Sequence, residues 1–120
     1  MPKILIVDDK KMILKLLYNE LSIENFDVVT LNSIGLIWEY IRDTRPDLVL
    51  LGLHSDNFDS WQILNDIKKK IPTLPVLIYV IERNQSINSI KQAIGEILKN
   101  GSISSAFMFH ALKNPESQKI

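Results

Sequence analysis

Short apolar runs alternate along this chain with longer segments whose apolar residues recur at helical spacing. Ile4 to Val7 is apolar at every position, the pattern of a strand buried on both faces of a parallel sheet. Lys11 to Leu21 follows, with Ile13, Leu16, Leu17 and Leu21 on one face of a predicted helix. Phe26 to Leu31 reads as a second strand, and Ser33 to Asp43 as a second helix carrying Leu36, Ile37, Tyr40 and Ile41. Pro46 ends that helix, and Leu48 to Leu53 forms the third and most buried strand. The polar loop His54 to Asp59 leads into a helix over Ser60 to Lys70, with Ser60 as its expected cap. Lys68, Lys69 and Lys70 fall at its end, where cations favour the negative pole of the helix dipole. Pro72 and Pro75 bracket a turn before a fourth strand, Val76 to Ile81. Ser86 is expected to cap a helix running to Ile94, Glu96 to Lys99 to form a short fifth strand, and Ser102 to cap a last helix through Lys113.

Five strand–helix units in strict alternation predict an α/β domain, a doubly wound (βα)5 three-layer sandwich with a five-stranded parallel sheet and right-handed crossovers. No linker or low-complexity stretch divides residues 1–120, which read as a single domain with a polar tail from about 114 to 120. Sites in such sheets lie at the carboxyl ends of the strands. Those ends carry Asp8-Asp9, Gly52 to His54, Val80 to Glu82, and Lys99.

Composition narrows the function classes. Fourteen basic and fourteen acidic side chains cancel, so no global field draws the chain to nucleic acid or an anionic membrane. Cysteine is absent, which excludes disulfides, thiolate catalysis and zinc–sulfur sites. The four apolar residues Ile4 to Val7 are too few for a signal peptide or a membrane span, so a cytoplasmic protein is expected. The scattered glycines match no phosphate-binding loop, and no serine sits in a nucleophile elbow.

Two adjacent acids after a buried strand carry more information. A turning strand or a helix cap accounts for one of them. Both together repel by a few kcal/mol at an effective dielectric near ~20. A hard cation such as Mg2+, or a lysine, relieves that repulsion, and Lys99 at the end of the fifth strand is the candidate counter-charge.

Val7-Asp8-Asp9, Pro46-Asp47-Leu48-Val49-Leu50-Leu51, Leu74-Pro75-Val76-Leu77-Ile78 and Glu96-Ile97-Leu98-Lys99 resemble, in order and spacing, the signature segments of bacterial response-regulator receiver domains. The resemblance spans nearly the whole chain and implies the flavodoxin-like strand order 2-1-3-4-5. It also implies that Asp8 and Asp9 belong to a Mg2+ site to which His54 lends only its backbone carbonyl. An aspartate ending the third strand would accept a phosphoryl group, a lysine ending the fifth would contact it, and a Ser or Thr ending the fourth would act as a switch.

The departures from that pattern set the functional expectation. Gly52 stands at the phosphoacceptor position and Val80 at the switch hydroxyl. Ile81 takes a position that is usually small, and Glu96 that of the switch aromatic. Asn100 replaces the family's proline, and Asp56 and Asp59-Ser60 replace its Pro and Asp-Gly pattern. Asp8, Asp9 and Lys99 sum to roughly −1 with one oxygen ligand fewer than an active site, so no cofactor is expected beyond a weak or vestigial Mg2+.

The expected function is a pseudo-receiver of two-component phosphorelay signalling. It would act through phosphorylation-independent contacts with a histidine kinase or another regulator and would not be an enzyme. The rival is an active phosphoacceptor using Asp56 or Asp59, and a small-ligand sensor using the space beneath Gly52 is a third reading. The last helix, with Ile103, Ala106, Phe107, Phe109, Ala111 and Leu112, is apolar over a wide arc. Together with the fourth helix and fifth strand it suggests a homodimer edge. His54 and His110 lack a second histidine at ligand spacing, and Trp38 and Trp61 are expected to pack on helices.

Overall fold

The apolar runs near residues 5 and 50 become the two central strands of a parallel sheet in the computed structural model, which describes residues 1–53, 56–81 and 85–100. β1 (Lys3–Val7) pairs on one side with β2 (Asp27–Leu31) and on the other with β3 (Leu48–Gly52). β3 pairs in turn with β4 (Val76–Tyr79), giving the order β2-β1-β3-β4. Every residue of β3 is buried, as a central parallel strand covered on both faces requires. The register sets Val7 beside Leu51 and Gly52 beside Tyr79, so the carboxyl ends of β1, β3 and β4 meet at one edge.

Alternate strand residues feed two cores. On one face Ile4, Ile6, Leu50 and Leu77 pack against α1 (Lys11–Ile23) and α4 (Gln85–Asn100). On the other, Leu5, Val7, Val49, Leu51 and Ile78 pack against α2 (Ile37–Thr44) and α3 (Ser60–Lys70). The buried stripe of α1 is Leu14, Leu17 and Leu21, while Leu16, expected on that face, is exposed. A 3-10 turn, Ile34–Leu36, precedes α2, and Ser33 Oγ accepts the Gly35 N–H at its start. Trp38 packs against the second core with the Lys70 ammonium 4.8 Å from its ring centroid. Trp61, expected in packing, is instead exposed on the first turn of α3. Lys68 Nζ donates to the carbonyls of Pro72 and Leu74, fixing the turn before β4.

The end of the described chain differs from the sequence expectation. Glu96 to Lys99, expected as a fifth strand, form the last turns of α4. Ile87, Ile90, Ile94 and Ile97 are all buried, and their spacing continues one helical stripe past the point where the helix was expected to stop. That stripe outweighs the roughly 1 kcal/mol handicap of a glycine inside a helix. Within the described residues α4 lies beside α1. There Lys91 Nζ reaches Glu20 at 3.0 Å and Glu24 at 3.3 Å. Glu96 to Lys99, the strand of the expected homodimer edge, are helical here. The last helix, Ser102, His110 and the tail lie outside the described residues, as do His54 and Glu82.

Gly95 tests this helix. A Cβ there meets nothing within 4 Å, and no positive φ holds the residue. Gly95→Ala is therefore expected to raise stability by about 0.5–1 kcal/mol in urea denaturation. A loss would mean that the chain turns at Gly95.

The fold class matches the sequence reading: α/β, with a parallel sheet of flavodoxin-like order 2-1-3-4 between two helical layers.

Candidate functional site

Beyond β1 the chain stays tied to the sheet, because the Asp8 N–H donates to the Leu31 carbonyl at 3.2 Å. This fixes the Asp8 side chain, only 5% exposed, at the edge where β1, β3 and β4 end. Its Oδ1 accepts the Lys10 N–H at 2.9 Å, and its Oδ2 accepts the Tyr79 hydroxyl at 2.6 Å. Both oxygens of the carboxylate are therefore engaged by donors from the chain itself.

Gly52 explains how they meet. A Cβ at position 52 would stand 2.8 Å from Asp8 Cγ, nearer still to its Oδ2, and 3.3 Å from Tyr79 Oη. The Asp8 carboxylate and the Tyr79 hydroxyl thus occupy the volume that a side chain at 52 would need. The small-ligand space expected beneath Gly52 is narrowed at position 52 by the same two groups, and a cavity of about 150 Å³ remains beside them. Burial first, then the Asp8 charge, hold the Tyr79 phenol well above its ordinary pKa, so it remains a proton donor at neutral pH.

Asp9 ties two loops together. Its Oδ2 accepts the Asp56 N–H at 2.8 Å and Asn57 Nδ2 at 3.2 Å, and the Lys10 ammonium lies 3.5 Å from Oδ1. Among the described residues Lys10, rather than Lys99, lies beside the acid pair. Lys99 is exposed on the last turn of α4, because the helix continues where a strand was expected. Lys99, expected at the end of a fifth strand beside the acids, lies in α4 instead.

The other candidates fall as follows. Val80 is buried just past β4 and Ile81 half-buried. Both line a cavity of about 150 Å³ with Asp8, Lys10, Ile13, Gly52, Leu53 and Tyr79. Asp56 is exposed and engages Asp9 through its backbone. The Asp59 carboxylate accepts the N–H groups of Trp61 and Gln62 at 3.0 and 3.3 Å, so Asp59 caps α3. Ser60, the expected cap, is buried, and its hydroxyl donates to the Gly52 carbonyl. Asp59→Ala is expected to lower stability by about 0.5–2 kcal/mol, read from the urea midpoint.

Tyr79 was missed in the sequence, although a signal existed. A tyrosine inside the buried run Val76 to Val80 needs a partner for its hydroxyl, and parallel pairing with β3 brings Gly52 beside it.

The acid pair was also tested against the Mg2+ that the resemblance implies. Such a cation prefers about six oxygen ligands and near-ideal octahedral geometry. Both oxygens of Asp8 already accept hydrogen bonds, Gly52 supplies no carboxylate, and among the described residues no three His, Cys, Asp or Glu side chains group to hold a metal. The residues present do not make a tight Mg2+ site.

Comparison with known proteins supplies the family. The response regulator receiver domain profile matches residues 4–103. The nisin biosynthesis regulatory protein of Lactococcus lactis is 32% identical over 85 residues, which cover 71% of this chain and 37% of that protein. The chain thus spans little more than a third of this curated relative. The signal receiver domain of a Vibrio parahaemolyticus protein superposes with a TM-score of 0.72 at 17% identity, covering 82% of this chain and 91% of that one, and so shares the fold. A Thermotoga maritima response regulator in complex with Mg2+-BeF has a TM-score of 0.63 at 24% identity, covering 71% and 74% of the two chains. Among the described residues no helix is long and apolar enough to cross a membrane. With a family profile matching across most of its length and the fold to go with it, this chain belongs to the response-regulator receiver domains of two-component signalling.

Proposed function

We propose that this domain is a receiver that has lost phosphotransfer and signals through protein contacts that need no phosphoryl group. The observation that carries this reading is the filled acceptor position: Gly52 offers no carboxylate, and Asp8 and Tyr79 occupy the space beside it. Val80 supports it, since an apolar side chain there cannot donate to a phosphate. Ile81 adds bulk to the lining of the cavity beside Gly52. Mg2+ binding is accordingly weak or vestigial at Asp8 and Asp9, and the domain is a signalling module rather than an enzyme.

Receiver domains work against histidine kinases and other regulators, so a partner of that class in the cytoplasm is the natural counterpart. Beside the acid pair, Asp56 and Asn57 are held to Asp9 without any added group, which suits a partner that needs no phosphoryl signal.

Incubation with a histidine kinase autophosphorylated from radiolabelled ATP tests the proposal. The label is expected to stay on the kinase, and any complex to form equally well with phosphorylated and unphosphorylated kinase. Transfer of label to this chain overturns the reading.

A further inference from the structure

We infer that Tyr79 is the internal replacement for the metal ion: its hydroxyl takes the Asp8 oxygen that a cation would otherwise use, so the acid pocket is closed by a protein donor. This deepens the preceding reading by naming what closes the site. It stands on cation binding alone, so it can fail while the absence of phosphotransfer holds, and the reverse.

Three observations converge on it. The Tyr79 hydroxyl donates to Asp8 Oδ2 at 2.6 Å in a place where both residues are almost fully buried. The second Asp8 oxygen is held by the Lys10 N–H, so each oxygen already serves a donor from the chain and a cation there competes with both bonds. Of these, only the Tyr79 bond comes from a side chain, which can be removed without touching the backbone.

The third observation is the pairing of Gly52 with Tyr79. The two residues are register neighbours in the sheet, and the phenol oxygen lies 3.3 Å from where a Cβ at 52 would be. An aspartate at 52 and a tyrosine at 79 compete for the same volume beside Asp8. The Tyr79 hydroxyl thus stands in the volume that a side chain at 52 would enter. Tyr79 acts as a positioning residue, holding Asp8 in a conformation that faces its own chain instead of a cation.

The test is the Mg2+-dependent shift in melting temperature of the unmodified domain, of Tyr79→Phe and of Gly52→Asp/Tyr79→Phe. A merely structural role for Tyr79 would move the baseline melting temperature but not its response to Mg2+. The unmodified domain is expected to show no response at a few millimolar Mg2+. Tyr79→Phe should bind Mg2+ about tenfold more tightly, the equilibrium weight of one hydrogen bond to a charged oxygen. The double variant, with its third carboxylate, should bind more tightly again. Variants that respond no more than the unmodified domain overturn the inference, as does an unmodified domain that binds as tightly as the double variant.

If the variants do not fold, a Mg2+ titration of the unmodified domain by NMR decides the same point. The Tyr79 ring resonances must move in step with the Asp8 amide wherever Mg2+ perturbs it. A shift at Asp8 that leaves Tyr79 unchanged contradicts the replacement.

Discussion

Gly52→Asp is expected to destabilise the domain by about 3–5 kcal/mol in metal-free buffer, although it supplies the carboxylate that the family resemblance implies at this position. The Cβ alone would lie 2.8 Å from Asp8 Cγ, so Asp8 must rotate away. That rotation strands the Tyr79 hydroxyl, a buried donor whose lost partner costs about 1–3 kcal/mol. The new carboxylate also arrives beside an existing one. Two like charges about 4 Å apart repel by roughly 4 kcal/mol at an effective dielectric of ~20. These effects overlap rather than add, since moving Asp8 relieves some of the repulsion. Against a typical total stability of about 5–15 kcal/mol, the loss is large. The urea midpoint and slope provide the measurement, and a change below about 1 kcal/mol would show that Asp8 yields the space freely.

The second large effect concerns α4. Ile90 is fully buried between α4 and the sheet, in the same core as Leu17, Leu50 and Tyr79. Ile90→Ala is expected to cost about 2–5 kcal/mol, the sum of lost apolar transfer and the cavity left behind. Lys99→Ala is the contrasting control. At the end of a strand facing the acid pair, Lys99 would neutralise two carboxylates, and its removal would be felt. On the exposed last turn of α4 its replacement should stay within about 0.5 kcal/mol. Denaturation curves of the two variants distinguish these placements: a costly Lys99→Ala beside a mild Ile90→Ala would contradict the packing of α4.

Much of this architecture is legible in the sequence for a simple reason. The runs Ile4 to Val7 and Leu48 to Leu51 are apolar on both faces, which only a covered parallel strand uses, and they became the buried β1 and β3. The placing of Asp8-Asp9 and Gly52 at one sheet edge followed from that alternation, because parallel strands bring their carboxyl ends together. Misreadings arose where two signals competed. Glu96-Ile97-Leu98-Lys99 fits a short strand by family resemblance, yet Ile97 also completes the stripe begun at Ile87, and the longer pattern prevailed. Asp59 and Ser60 are both good caps. Asp59 took the role once Ser60 found a partner in the Gly52 carbonyl.

The filling of the acceptor site could not be read from position 52 alone. A missing carboxylate predicts a gap, and only the register between β3 and β4 shows that Tyr79 stands beside it. The lesson is local. A substitution that removes a functional side chain from a close-packed strand end should prompt a search of the neighbouring strand for the residue that fills the space.

Intact-mass measurement after incubation with acetyl phosphate and excess Mg2+ addresses the central claim most directly. An unchanged mass is expected on the proposed reading, because Gly52 has no carboxylate to receive the group. A gain of one phosphoryl unit that maps by peptide analysis to Asp56 or Asp59 would contradict it, and would make this domain an active acceptor by another route.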